Sequence, residues 1–244
     1  MTVAETLSVG DAPISADRVL LTLDRVAKRY TRGRETVTIF DDLSLDINAG
    51  DFVSVMGPSG SGKTTLLNLL GGLDRPDAGA IIFDGAPIQG LSQSQLSAWR
   101  SRDVGFVFQF YNLMAHMSAC RNVELPLLLS KMNRNERRRR VETALDIVGL
   151  LDRKRHKPRQ LSGGQQQRVA IARALVADPK LILADEPTGD LDRATATEIL
   201  EMLQLLNRDL GKTIVMVTHD PAAANYSTRQ LHLDKGQFQE RRDE

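Results

Sequence analysis

Residues 57–65 read Gly57-Pro58-Ser59-Gly60-Ser61-Gly62-Lys63-Thr64-Thr65. The stretch sits between Phe52-Val53-Ser54-Val55-Met56, apolar and β-branched like a buried strand, and Leu66-Leu67-Asn68-Leu69-Leu70, which continues as a helix. Strand, glycine-rich loop and helix in that order form a cradle for an oligophosphate. Gly57, Gly60 and Gly62 let backbone N–H groups turn inward, and the helix aims its positive dipole end at the same place. Lys63 is placed to reach the β- and γ-phosphates, and the Thr64 hydroxyl to ligate Mg2+. A flexible Gly/Ser turn is the alternative. A chance match to G-x4-G-K-S/T in a chain of this length is on the order of one in a hundred, which favours the nucleotide site.

The rest of the composition bounds what surrounds that cradle. A chain of 244 residues suits one large α/β domain, or a core with an inserted subdomain. Lys plus Arg number 32 against 31 acidic residues, so overall charge offers no argument for nucleic acid or an anionic membrane as the main partner. A single cysteine, Cys120, excludes an internal disulfide. The N-terminus has no basic start followed by an apolar segment, so a cytosolic setting is expected. No run reaches the ~18 apolar residues of a membrane helix, so any membrane role is expected to pass through a partner.

Residues 1–17 lack periodicity and read as a tail. Val19 to Val26 and Thr36 to Ile47 alternate apolar and polar residues, as half-buried antiparallel strands do, and Tyr30 is placed in the connection between them. There its ring fits either stacking on a base or packing in a turn. Gly79 to Gly85 reads as a strand ending in a turn, Ser92 to Ser101 as a short helix, and Val104 to Gln109 as a strand. Phe110-Tyr111-Asn112-Leu113-Met114 follows, an apolar loop that either folds under its own subdomain or forms part of a docking groove. Asn133 to Val148 reads as a helix capped by Asn133 and closed by Gly149. Its Arg137 to Arg140 run fits a solvated face flanked by Glu136 and Glu142 better than a phospholipid or nucleic-acid contact.

Leu161-Ser162-Gly163-Gly164-Gln165 opens another helix, with Ser162 able to cap and the glycines able to present N–H groups. It reads either as a site for the far side of a phosphate held by another copy or as a capped turn. Leu181 to Ala184 is an apolar strand delivering Asp185 and Glu186 to the carboxyl end of a parallel sheet, where ligands bind. Asp185 suits Mg2+ and Glu186 suits polarising a water. Asp192 starts a helix whose inner side carries Ile199, Leu203 and Leu206. Thr213 to Thr218 is a further buried strand ending at His219, placed to hydrogen-bond a γ-phosphate or a water. Leu231 to Phe238 forms a final hairpin around Lys235-Gly236.

Together these residues resemble the ATPase subunits of ATP-binding-cassette (ABC) transporters, from about Arg18 to Gln239, and Leu161 to Gln165 matches that family's signature. The resemblance implies an α/β fold with a P-loop NTPase (RecA-like) parallel-sheet core, an antiparallel β subdomain and an inserted α-helical subdomain over about 96–160, with tails at 1–17 and 240–244. It implies that ATP is held by Gly57, Ser59, Gly60, Ser61, Gly62, Lys63, Thr64 and Thr65, with Tyr30 stacking on adenine. Thr64, Gln109 and Asp185 are then the Mg2+ residues, and Glu186, His219 and Gln109 the catalytic ones. It further implies a head-to-tail dimer in which Ser162, Gly163, Gly164 and Gln165 complete the other subunit's site and Asp192 makes a dimer contact.

Leu69 to Asp74, Gly105 to Gln109 and Glu186 to Asp192 are similar to the lipoprotein-releasing and macrolide-exporting branch, whose members drive a separate membrane permease from the inner face of the membrane. Thr64 stands where Ser is commoner and Asp190 where Asn or Ala often sits; neither change removes a catalytic group. Two other functions remain to be separated from this one: a soluble cassette clamping ribosomes or DNA, and a mainly structural role in positioning cell-envelope or division proteins. One cassette without a sustained heptad speaks against the clamp.

Overall fold

A computed structural model describes residues 18–33 and 35–240. The expected tail at 1–17 and residues 241–244 lie outside the described residues. Two sheets form the body. The first is antiparallel, in the order β2-β1-β4-β5, from β1 (Val19–Arg32), β2 (Glu35–Asn48), β4 (Ala78–Phe83) and β5 (Ala86–Pro87). The second, in the order β10-β9-β3-β8-β7-β6, contains β3 (Phe52–Met56), β6 (Val104–Phe108), β7 (Leu181–Asp185), β8 (Thr213–Val217), β9 (Arg229–Asp234) and β10 (Gln237–Glu240). Its strands pair in parallel except β10, which runs against β9.

The inner strands β3, β7 and β8 read as continuous apolar runs because both faces of their sheet are covered. With a period of two, their side chains alternate between two cores. Val53, Val55, Leu181, Leu183, Val215 and Val217 enter the core shared with helix α1 (Lys63–Leu70) and the antiparallel sheet. Phe52, Ile182, Ala184, Ile214 and Met216 enter the core shared with helices α3 (Ala119–Glu124), α4 (Arg134–Ile147), α5 (Gly163–Leu175) and α6 (Arg193–Leu210). This sandwiching carries β3, β7 and β8 to one common edge, where their carboxyl ends present the cradle, Asp185-Glu186 and His219.

Three expectations need correction. Tyr30 does not lie in a connection: it is inside β1, opposite Val37. Register irregularities between Leu23 and Arg29 bury Val26, Ala27 and Lys28 in succession, which breaks the alternation on which a strand end was read. The helical insertion starts later than residue 96. Val104–Phe108 is the edge strand of the six-stranded sheet, and helix α2 (Gln93–Asp103) packs Leu96 and Trp99 into the first core, so the inserted helices run from Ala119 to the short 3-10 turn Pro158–Gln160. Glu240, placed in the C-terminal tail, is the last residue of β10 and pairs with Leu231. A short helix α7 (Pro221–Ala224), capped by Asp220, follows His219 and was not expected.

Candidate functional site

The cradle joins β3 to α1 as the sequence requires. At Gly57 a β-carbon would overlap the Leu233 carbonyl, and at Gly62 (φ 102°) it would lie 2.8 Å from Ile39 Cγ2, so both positions demand glycine. Gly62 is the N-cap of α1 and supplies no side-chain cap, which leaves the first-turn N–H groups of that helix without a side-chain acceptor. Ser61 Oγ is buried without a hydrogen-bond partner in the same loop. Lys63 Nζ donates to the Gly57 and Pro58 carbonyls at 2.7 and 3.0 Å, holding its ammonium across the cradle. Uncapped amides, a partnerless buried hydroxyl and a poised cation form a donor set that fits an oligophosphate. Ser59, Gly60 and Thr64 are exposed, and Thr65 is half-buried beside them.

The carboxylates arrive at the same edge. Burial, followed by the neighbouring Glu186, pushes the Asp185 carboxyl above the usual range, while Lys63 pulls it back down. That influence puts Asp185 within electrostatic reach of the cradle lysine. Glu186 takes a left-handed backbone (φ 47°), with its N–H bonded to the Val217 carbonyl at 3.0 Å. For a non-glycine residue this conformation stores strain. It directs Glu186 Oε2 to His219 Nδ1 at 2.9 Å, and the His219 N–H donates to the same oxygen at 3.4 Å. Gln109, at the end of β6, lies against Gly189 three residues beyond Glu186; a β-carbon on Gly189 would be 2.9 Å from Gln109 Nε2. Asp185, Glu186, His219 and Gln109 thus lie together around neighbouring strand ends.

Tyr30 is 42% exposed, yet its hydroxyl donates to Asp74 Oδ2 at 2.7 Å. Lys28, buried, donates to Asp74 Oδ1 at 2.8 Å, and its ammonium lies 4.9 Å from the Tyr30 ring centroid. Burial and Asp74 raise the Tyr30 hydroxyl above its ordinary pKa, and the Thr65 side chain opposes the rise. The ring is therefore held beside the first turn of α1. Sequence reasoning did not assign Lys28 and Asp74 to the site: they lie 46 residues apart, and no local pattern marks their meeting.

The second helix start is separate. Ser162, exposed, accepts from Gln165 N while Gln165 Oε1 accepts from Ser162 N at 3.1 Å, a reciprocal capping box. Gly163 is packed below the Tyr111 hydroxyl and Gly164 is buried against Thr195. Asp192 caps α6, accepting from Thr195 N and Thr195 Oγ1 at 3.0 and 2.6 Å, and these bonds lower its carboxyl pKa. No hydrogen bond or ion pair among the described residues joins 57–65 to 161–165.

The model of the ABC transporter family matches residues 40–189. The uncharacterized ABC transporter ATP-binding protein YknY of Bacillus subtilis (strain 168) is 49% identical over 217 residues, covering 89% of this chain and 94% of that protein. The lipoprotein-releasing system ATP-binding protein LolD of Bordetella pertussis (strain Tohama I) is 46% identical over 219 residues, covering 90% of this chain and 95% of LolD. Among solved structures, the dimeric post-hydrolysis state of the ATP-binding cassette MJ0796 bound to ADP and Pi superposes with a TM-score of 0.83 at 43% identity, over 92% of this chain and all of that one. CbiO1 of Clostridium perfringens, part of an ABC transporter complex, gives 0.82 at 29% identity, over 91% of this chain and 88% of that one. The chain belongs to the ABC transporter family, as an ATP-binding and ATP-hydrolysing subunit.

Proposed function

We propose that this ATPase works as one half of a head-to-tail dimer that closes on two ATP molecules and drives a separate membrane permease at the inner face of the membrane, for export or for release of a lipoprotein or other envelope substrate. The observation that carries the reading is the division of the site. No hydrogen bond or ion pair among the described residues joins the cradle to the signature, and Ser162 is exposed on a helix start closed by its own capping box. A second copy turned by half a revolution presents its Ser162–Gln165 to the first copy's cradle. The dimeric MJ0796 structures and the LolD relatives support the dimer and the envelope substrate respectively.

In this reading Tyr30 stacks on adenine with its outer face, since Lys28 lies close to the ring and Asp74 binds the hydroxyl. Lys63 and the first-turn amides of α1 hold the phosphates. Thr64, Asp185 and Gln109 offer a hydroxyl, a carboxylate and an amide oxygen to Mg2+, a hard-oxygen set suited to that ion. Bound there, the ion neutralises phosphate charge. Glu186 accepts the proton of the attacking water, and His219 fixes the carboxylate through the 2.9 Å contact. Asp192 lies at the dimer face.

The permease has a place to dock. A cavity of about 450 Å³ is lined by Leu73, Phe106, Phe108, Pro126 and Leu129, with Arg100 and Arg173 at its walls. Of the apolar loop, Phe110 is 70% exposed, whereas Leu113 packs into the second core and the Tyr111 hydroxyl reaches Asp190 at 3.4 Å. The docking surface is therefore this groove, with Tyr111 serving the signature instead. Gel filtration of Glu186→Gln with Mg-ATP tests the composite site: an ATP-bound dimer is expected, and a monomer under those conditions refutes it.

A further inference from the structure

We infer that Gln167 is a positioning residue that ties the signature helix to the loop carrying Glu186 of the same chain. The inference rests on the proposed role of Glu186 as the base, and it goes beyond that role. Gln167 lies in α5, two residues past the capping box, and is fully buried. Its Nε2 donates to the Pro187 carbonyl at 2.6 Å, while its Oε1 is buried with no partner. An amide with a partnerless buried oxygen is a poor choice for packing alone, because an apolar side chain of the same length would avoid the desolvation. What the amide provides is the donor, and the donor meets the carbonyl of Pro187, the residue directly after Glu186.

Both ends of this link are rigid. Val169, Ala170, Ile171 and Ala172 behind Gln167 are completely buried, so α5 moves only with its core. Pro187 has a fixed φ, and Glu186 is held in its left-handed conformation by bonds from its own N–H to Val217 and from Gly189 N–H to its carbonyl at 3.0 Å each. A displacement of Ser162–Gln165 is thereby passed, through one hydrogen bond, to the backbone that aims Glu186 at His219. The signature helix and the base of one chain form a single mechanical unit.

Gln167→Met keeps the length and removes the donor. Turnover should fall about tenfold with the KM for ATP within about twofold, since binding groups are untouched and only the aim of the base is lost. Gln167→Glu supplies a second readout: a buried carboxyl donates to Pro187 only while protonated, so its turnover relative to wild type should rise as pH falls from 8 to 6, with the fold checked by circular dichroism at each pH. Wild-type turnover in Gln167→Met overturns the inference. So does a pH-independent ratio for Gln167→Glu, which decides the matter if the Met variant fails to fold. If Glu186→Gln dimerises on ATP and Gln167→Met turns over normally, only the positioning role falls. If Glu186→Gln hydrolyses ATP normally, the reading of the base falls instead.

Discussion

Gly164 of the signature and Thr195 of α6 are packed so closely that a β-carbon on Gly164 would overlap the Thr195 methyl group, Cγ2, while the Thr195 hydroxyl is bonded to Asp192 at 2.6 Å. The second glycine of the signature is thus required within its own chain. It lets the helix start cross the Asp192-capped start of α6, which keeps Ser162 and Asp192 on neighbouring helix ends.

Gly164→Ala should therefore destabilise the fold by about 1–3 kcal/mol, the usual cost of overpacking a tight contact. Adding Thr195→Ser removes the obstructing methyl and keeps the hydroxyl on Asp192, so most of that loss should return. Urea unfolding of the single and double variants measures both. A double variant as unstable as Gly164→Ala would mean that the glycine is needed for another reason.

Asp185 sets a pH dependence of stability. Its folded pKa lies above the ordinary value of 3.8, through burial and Glu186. Above 3.8 the unfolded chain gives up this proton while the folded chain retains it, so stability falls as pH rises through the interval up to the raised folded value, then levels off. Asp185→Asn has no such proton. The variant should be the more stable protein at neutral pH, and its advantage should shrink towards pH 4 in urea unfolding series. A constant difference across that range would contradict the raised pKa.

The proposed docking groove gives a third expectation. Leu129 is 73% exposed at the groove wall, and an apolar side chain left there without a partner forgoes about 1.5–3 kcal/mol of burial. Leu129→Asp should keep the melting temperature, as surface substitutions do within about 0.5 kcal/mol. It should lose the integral membrane protein expected to co-purify with the wild-type chain from detergent-solubilised membranes. Equal recovery of that protein would place the docking surface elsewhere.

Whatever depends on neighbours along the chain could be read from the residues alone. The cradle, the caps Ser162, Asn133 and Asp192, the apolar strands β3, β7 and β8, and the delivery of Asp185, Glu186 and His219 to strand ends were legible, because helix caps and buried strands are written in short, contiguous patterns. Packing set what depends on residues distant in sequence. It put Tyr30 inside β1, where irregular pairing hides the alternation, and set its hydroxyl on Asp74, 44 residues away. It drew Val104–Phe108 out of the helical insertion into the main sheet by pairing it with β7. It also gave Gln167 its partner at Pro187 and Gly164 its neighbour at Thr195. A side chain's hydrogen-bond partner across a core is fixed by how the helices and sheets pack, and that packing is a property of the whole chain rather than of any window along it.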